Sequence, residues 1–150
     1  MGAQDNATAI QAFNDAFNAR NVEAGVALCT PDVTLANVAN GATFNGPDGV
    51  RQFFQGWTTA FPDGKVQNTA IVADDQRAVV EFIGRGTQTG PLVGPEMTVP
   101  ATGKTAEIHF VGIAEMRQGK IAGMRLYFDA MGMLIQLGVV PAPAQVQARG

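Results

Sequence analysis

Two periodicities of apolar residues divide this chain into a first half that favours helices and a second half that favours β-strands. In the first half, apolar residues recur every three or four positions, which is typical of amphipathic helices. This spacing predicts helices over residues 5–20, 21–30 and 47–61. Between the second and third helices, the sequence predicts a strand over residues 33–37 and a hairpin turn at the Asn-Gly pair of residues 40–41.

In the second half, apolar and polar residues alternate, which is the period of strands with one buried face. The alternation predicts strands over residues 65–73, 77–86, 104–117 and 120–129, and a short helix over residues 130–137. Three helices followed by long antiparallel strands are typical of an α+β fold. We expect a strongly curved antiparallel sheet, covered by the three N-terminal helices, that encloses a cone-shaped cavity suited to a ligand.

Composition favours a folded protein with a large core, since 46% of the 150 residues are hydrophobic and 15% are charged. We expect one domain over residues 1–140 and a flexible C-terminal tail over residues 141–150, which are rich in alanine, proline and glutamine. The net charge of −3, without any basic run, argues against nucleic-acid and membrane partners. One cysteine and the lack of a signal-peptide pattern lead us to expect a cytoplasmic location.

Sequence motifs for cofactors are absent. The single histidine and the single cysteine stand without clustered acidic residues, so the sequence predicts no metal site. No glycine-rich phosphate loop follows a strand, and no Gly-x-Ser-x-Gly turn carries a serine nucleophile. We therefore expect no cofactor, and either acid/base chemistry by side chains or no chemistry at all.

One carboxylate, Asp129, stands where the last predicted strand meets the last helix, among Phe110, Tyr127, Phe128 and Met131. Burying a carboxylate among apolar residues is costly unless the group is hydrogen-bonded or has a chemical task. Two interpretations follow, and they do not exclude each other. Asp129 is either a proton shuttle whose pKa is raised by apolar surroundings, or the N-cap of the last helix.

Two further residues, one on each of the last two predicted strands, are candidates for a catalytic role. If its strand face is interior, His109 shares a proton with the aspartate or orients a substrate carbonyl; otherwise it is a structural histidine on the outer face or at a subunit interface. Tyr127 alternates with Asp129, so it either donates a hydrogen bond to an oxyanion or packs with its hydroxyl exposed.

Candidate ligand contacts come from several predicted elements. Asn37 alternates with Val33 and Leu35, so we expect it to point inward, where its amide would give a ligand carbonyl a donor. Aromatic residues of the helices are core residues, of which Trp57 in particular is expected to reach the cavity wall and stack on a flat ring. The remaining members of the predicted substrate-binding set are Phe17, Phe53, Val111 and Met131.

The order of elements and four short segments resemble the SnoaL-like polyketide cyclases of the nuclear-transport-factor-2-like superfamily. The resemblance covers residues 5–138, and the segments that carry it are residues 100–104, 119–121, 127–129 and 134–138. It implies an NTF2-like α+β barrel in which Asp129 is the acid/base residue, faces the pocket and has a histidine partner. It also implies a flat, hydrophobic carbonyl or aromatic ligand and an intramolecular aldol closure.

Other functions remain open on the same fold. One is a non-catalytic protein that binds small molecules, and another is an isomerase or an epoxide hydrolase. A hydrolase of that kind needs an Asp, an Arg and a second Asp on one water; Arg125 and Asp129 are present, but a second inward aspartate is not evident. We also expect a homodimer through the outer sheet face, because the segment 78–83 carries apolar residues on both of its faces.

Overall fold

Helices cover one face of a bent sheet and leave the other face bare. The computed structural model describes residues 2–142, so most of the predicted tail lies outside the described residues. The helices are α1 (Ala3–Asn18), α2 (Val22–Ala27), α3 (Gly46–Ala60) and α4 (Ala130–Gln136). Within the described part of the chain, no helix combines the length and the apolar character needed to cross a membrane.

Six strands form the main sheet in the order β2-β1-β8-β7-β4-β3. They are β1 (Cys29–Asn37), β2 (Ala42–Asn45), β3 (Lys65–Ala73), β4 (Arg77–Thr87), β7 (Thr105–Arg117) and β8 (Lys120–Phe128). Neighbours pair antiparallel except β1 and β8, which run parallel. The predicted α+β class, a curved sheet under helices, is confirmed; the sheet is open rather than closed into a barrel.

The inner face of the sheet is set by a row of three phenylalanines. Phe82, Phe110 and Phe128 face one another across β4, β7 and β8, and the rings of the first two stack at 4.8 Å. Trp57 of α3 packs edge-on against Phe110 at 5.5 Å and against Phe128 at 5.3 Å. Because side chains alternate along a strand, the even-numbered positions from 106 to 114 on β7 are buried against the helices.

The first strand begins earlier than its alternation predicts. Cys29 already pairs with Ile121 of β8, and Ile121 donates its N–H to the carbonyl of Leu28 at 2.9 Å. A register shift separates this pairing from the regular ladder that resumes at Thr34. The irregular segment lies before the predicted strand, where Pro31 and Asp32 interrupt the apolar pattern.

The long loop predicted after β4 contains a small hairpin of its own, β5 (Leu92–Val93) and β6 (Thr98–Val99). Gln88, which is fully buried, holds this loop at its base. The side-chain amide of Gln88 donates to the carbonyl of Val99 at 3.1 Å and accepts from the hydroxyl of Thr102 at 2.8 Å. We call residues 88–104 the flap.

Candidate functional site

Two cavities between the helices and the sheet differ in size. The first, which we call the core gap, holds about 60 Å³ and is lined mostly by apolar side chains. Polar side chains at its border are already engaged, since Asn14 donates to Asn68 at 2.7 Å and Lys65 donates to the carbonyl of Asn18 at 2.6 Å. The core gap is therefore a small, mainly apolar space whose polar border groups are satisfied within the protein.

The second cavity, which we call the flap cavity, holds about 390 Å³, within the range of small-molecule sites. It lies between α3, the β1–β2 hairpin, the flap and the first turns of α4. The residues that build its walls in these four places include Phe53, Gly56, Trp57, Asn37, Leu92, Val99, Met133 and Leu134. Most of these side chains are apolar, so the cavity favours an apolar occupant.

Aromatic rings form the wall that the two cavities share. Phe53 and Trp57 line both. The ring of Phe53 contacts Phe44 edge-on at 5.7 Å, and the indole of Trp57 is held by Phe110 and Phe128. These contacts fix flat surfaces at the side of the flap cavity, where a planar ligand can stack.

Asn37 is the polar group buried in this wall. Val33, Leu35 and Asn37 all lie on the inner face of β1, and Asn37 is only 7% exposed. The Oδ1 atom of its amide is buried and has no hydrogen-bond partner among residues 2–142. A buried acceptor left without a partner costs about 1–3 kcal/mol of folding free energy. Oδ1 of Asn6, which lines neither cavity, is buried without a partner as well, so an unsatisfied acceptor does not by itself mark a ligand site.

The structure places Asp129 outside both cavities, so the expectation that it faces the pocket is wrong. Leu126 and Phe128 point inward, and alternation therefore turns Tyr127 and Asp129 outward. The carboxylate is exposed and accepts a hydrogen bond from the backbone N–H of Gly132 at 2.9 Å, as the N-cap of α4. A catalytic role for Asp129 stays a prediction without support from this geometry.

His109 and Val111 lie on the odd, outer face of β7, so neither lines a cavity. His109 is exposed, and only its backbone carbonyl meets Asp129, whose N–H donates to it at 3.3 Å. Tyr127 and Met131 are 41% and 58% exposed. The expected pocket positions of these four residues are therefore wrong. Three of them lie on the outer face of the sheet, opposite the three phenylalanines, and Met131 lies on the exposed side of α4.

The predicted site residues thus separate into three groups. Asn37, Trp57 and Phe53 come together in the flap cavity, and Phe17 lines the core gap instead. The outer group contains Asp129, His109, Tyr127, Val111 and Met131. Arg125, on the same outer face, forms an ion pair with Glu115 at 3.3 Å. Partial burial raises the pKa of Glu115, but the guanidinium groups of Arg77 and Arg125 together outweigh it and hold that pKa below its usual value.

The flap residues were missed by the sequence prediction. Within the described chain, Glu96 is the only Asp, Glu or His that lines either cavity, and it is exposed on the flap. Gly90-Pro91 and Gly94-Pro95 indicate a loop, but no local pattern shows that the loop folds back over a cavity. No three of the His, Cys, Asp and Glu side chains in residues 2–142 group closely enough to hold a metal ion.

Comparison with known proteins shows which family this architecture belongs to. The family model described as SnoaL-like polyketide cyclase matches residues 7–137, and the chain belongs to that family. No curated protein sequence matches it.

Solved structures share the fold across nearly the whole chain. A candidate SnoaL-like polyketide cyclase from Jannaschia sp. CCS1 has a TM-score of 0.80 at 17% identity, covering 93% of this chain and 95% of its own. IdmH, a candidate polyketide cyclase from Streptomyces antibioticus, has a TM-score of 0.73 at 26% identity, covering 89% and 98%. An LEH-like epoxide hydrolase from M. tuberculosis has a TM-score of 0.69 at 18% identity, covering 91% and 92%.

The unpartnered amide leads to a stability prediction. Asn37→Leu keeps the size of the side chain and removes the buried acceptor, so we expect the free energy of unfolding in urea to stay the same or rise by about 1 kcal/mol. Asn14→Leu is the matched control: it breaks the Asn14–Asn68 hydrogen bond and should lower stability by about 1–3 kcal/mol. A loss in Asn37→Leu as large as the control's would show that Asn37 serves the fold.

The capping geometry leads to a second prediction. Asp129→Ala removes the acceptor for the N–H of Gly132 and should lower the free energy of unfolding by about 1 kcal/mol. Asp129→Asn can still accept this hydrogen bond, so its free energy of unfolding should stay close to that of wild type. Asp75→Ala, in an exposed turn, is the control and should leave stability unchanged. We expect ligand affinity to be unaffected in all three variants. If Asp129→Asn had native stability but catalysed its reaction a hundredfold more slowly than wild type, the proton-shuttle hypothesis would be favoured instead.

Proposed function

We propose that this chain is a cofactor-independent enzyme of the polyketide cyclase type that binds a flat, apolar, carbonyl-bearing compound in the flap cavity. The observation that supports this most strongly is the cavity itself: about 390 Å³ of mainly apolar space with aromatic walls and the amide side chain of Asn37 in its lining. Small-molecule sites generally combine such an apolar lining with a few polar groups that fix orientation.

Membership of the family supports an intramolecular aldol closure as the reaction. Such a closure needs two carbons of one flexible molecule to be brought together, and a shaped cavity supplies that by limiting the conformations of its ligand. Rigid walls at Phe53 and Trp57 suit this task, because their rings are held by other aromatic residues.

A second candidate function is binding without catalysis. It is favoured by the position of the titratable groups, since Asp129 and His109 lie outside the cavity and Glu96 is exposed on the flap. A binding protein needs only the apolar walls and the amide of Asn37. Turnover of a bound polyketide-like ketone would decide between the two functions.

We further propose that a second copy of the chain covers the outer face of the sheet. Half-buried apolar side chains lie there in the middle of β4 and β7, at Val79, Ile83, Val111 and Ile113. Ion pairs border them, Arg77 with Glu115 at 2.9 Å and Arg85 with Glu107 at 2.7 Å. An apolar strip with a polar rim is typical of a protein interface.

The dimer can be tested by light scattering at micromolar concentration. We expect a mass of twice 15.7 kDa, and we expect Val111→Glu to yield the monomer because it places a charge in the strip. Val72→Glu, on β3 and already 69% exposed, is the control and should remain dimeric. A wild-type mass of one chain would contradict this proposal.

Ligand binding in the flap cavity can be tested by filling its mouth. A Cβ added at Gly56 meets no atom within 4 Å, and Gly56 lines the cavity. Gly56→Leu should therefore weaken binding of 2-acetylnaphthalene, a flat aromatic ketone, by tenfold or more, measured by fluorescence of Trp57. The same change should raise stability by about 0.5–1 kcal/mol, because leucine favours a helix more than glycine.

Gln55→Leu is the matched control on the exposed side of α3. It should leave the affinity for the ketone within twofold of wild type. If the ketone does not bind wild type, or binds Gly56→Leu equally well, the flap cavity is not its site.

A further inference from the structure

The flap carries the one ionisable side chain that borders the flap cavity in the described chain. Glu96 is that residue, and the other residues in the lining have apolar or amide side chains or are glycine or proline. An aldol closure needs a base that removes a proton from carbon. Resting on the proposed function of this cavity, we propose that the carboxylate of Glu96 is that general base.

The base of the flap is fixed against α3, which gives the flap tip a defined place over the cavity. The N–H of Gly90 donates to the carbonyl of Ala60 at 3.3 Å, and a side chain at Gly90 would collide with the carbonyl oxygen of Thr59. On the other side of the hairpin, the carbonyl of Pro100 accepts from the side-chain amide of Gln88 at 3.2 Å. The flap is thus held both before and after β5 and β6, and a catalytic group needs such a fixed support.

Glu96 lies in the loop at the flap tip, close to the β1–β2 turn. The N–H of Gly94 donates to the carbonyl of Met97 at 2.8 Å and closes this loop around Pro95 and Glu96. A Cβ built on Gly94 would stand 3.6 Å from Nδ2 of Asn40, which also lines the cavity. The loop therefore reaches the turn between β1 and β2, and Glu96 lies at the mouth that these two segments form.

Apolar side chains flank Glu96 on the flap. Val93 and Met97 line the cavity but are 67% and 51% exposed, and covering them with an apolar ligand is favourable. A ligand in that position displaces water from around Glu96, and a less hydrated carboxylate is a stronger base. None of the ion pairs among residues 2–142 involves Glu96. Its exposure without a ligand does not oppose the role, since catalytic contacts often form only in the complex.

The proposed reaction takes one proton onto Glu96 and later returns it. An oxygen of the carboxylate removes a proton from the carbon next to a ligand carbonyl; the electrons of that C–H bond form the enolate, whose oxygen carries the charge. The enolate carbon then bonds to a second carbonyl carbon of the same molecule, which re-forms the first carbonyl and turns the second oxygen into an alkoxide. The alkoxide takes the proton from Glu96 and restores the carboxylate.

The proton removal can be measured by itself with 2-acetylnaphthalene in heavy water, as exchange of the acetyl methyl protons for deuterium followed by NMR. We expect wild type to accelerate this exchange over buffer. Glu96→Gln keeps the size of the side chain but cannot accept the proton, so it should lower the catalysed rate about a hundredfold or more. The dissociation constant of the ketone should stay within twofold of wild type, because the apolar walls are unchanged.

Two further variants show whether the effect belongs to the carboxylate of Glu96. Glu96→Asp keeps a carboxylate on a shorter side chain and should retain more of the exchange rate than Glu96→Gln. Asp75→Asn removes a carboxylate from an exposed turn outside both cavities and should leave the rate unchanged.

The outcomes separate this inference from the proposed function. If the ketone binds wild type without faster exchange, or exchanges equally fast with Glu96→Gln, the role of Glu96 is overturned and the cavity remains a ligand site. A loss of rate in Asp129→Asn but not in Glu96→Gln would overturn it as well, since the base would then be Asp129. If the ketone does not bind wild type at all, the proposed function fails, and the role of Glu96 fails with it.

Discussion

The aromatic contact between α3 and the sheet determines which face of every strand is inside. Trp57 rests on Phe110 and Phe128, and Phe82 stacks on Phe110 from the neighbouring strand. Because a strand turns successive side chains to opposite faces, these contacts assign every other position of β4, β7 and β8 to the interior. A shift of one residue in any of these strands would expose its phenylalanine and bury a charged or polar neighbour.

This constraint explains why the interior carries so little charge. The charged residues of β4 and β7, among them Arg77, Glu107 and Glu115, alternate with the buried ones and pair with one another on the outer face. Burying an unpaired charge is costly, so the inner face carries few polar groups, and most of them are hydrogen-bonded. Gln88 meets that condition through the flap, whereas Oδ1 of Asn37 does not.

The flap cavity lies where the helical layer and the sheet move apart. Helix α3 and the sheet pack closely at Phe53 and Trp57, which leaves only the core gap on one side of these rings. On the other side, the flap and the β1–β2 hairpin complete the wall at a greater distance and enclose the larger space. The ligand cavity is thus built from segments that are far apart in the chain and meet only in the folded protein.

The error over Asp129 shows how sequence proximity differs from contact. Phe128 and Met131 surround the aspartate in the sequence, yet Phe128 points inward and Met131 is exposed. The alternation of β8 already favoured an inner face of Met124, Leu126 and Phe128, since these residues are uniformly apolar. The family resemblance, which implied an aspartate in the pocket, instead favoured the face of Tyr127 and Asp129 as the inner one, and that prediction was wrong.

The sequence by itself determined the helices, the long strands, the α+β class and the inward direction of Asn37, because these depend on periods of two or about four residues within one element. Tertiary structure alone decided the parallel pairing of β1 with β8, the folding of the flap over its cavity, and the lack of a partner for Oδ1 of Asn37. Each of these depends on distances between segments that are remote in the chain. Local patterns carry no information about such distances, since they are set by how the helices pack on the sheet.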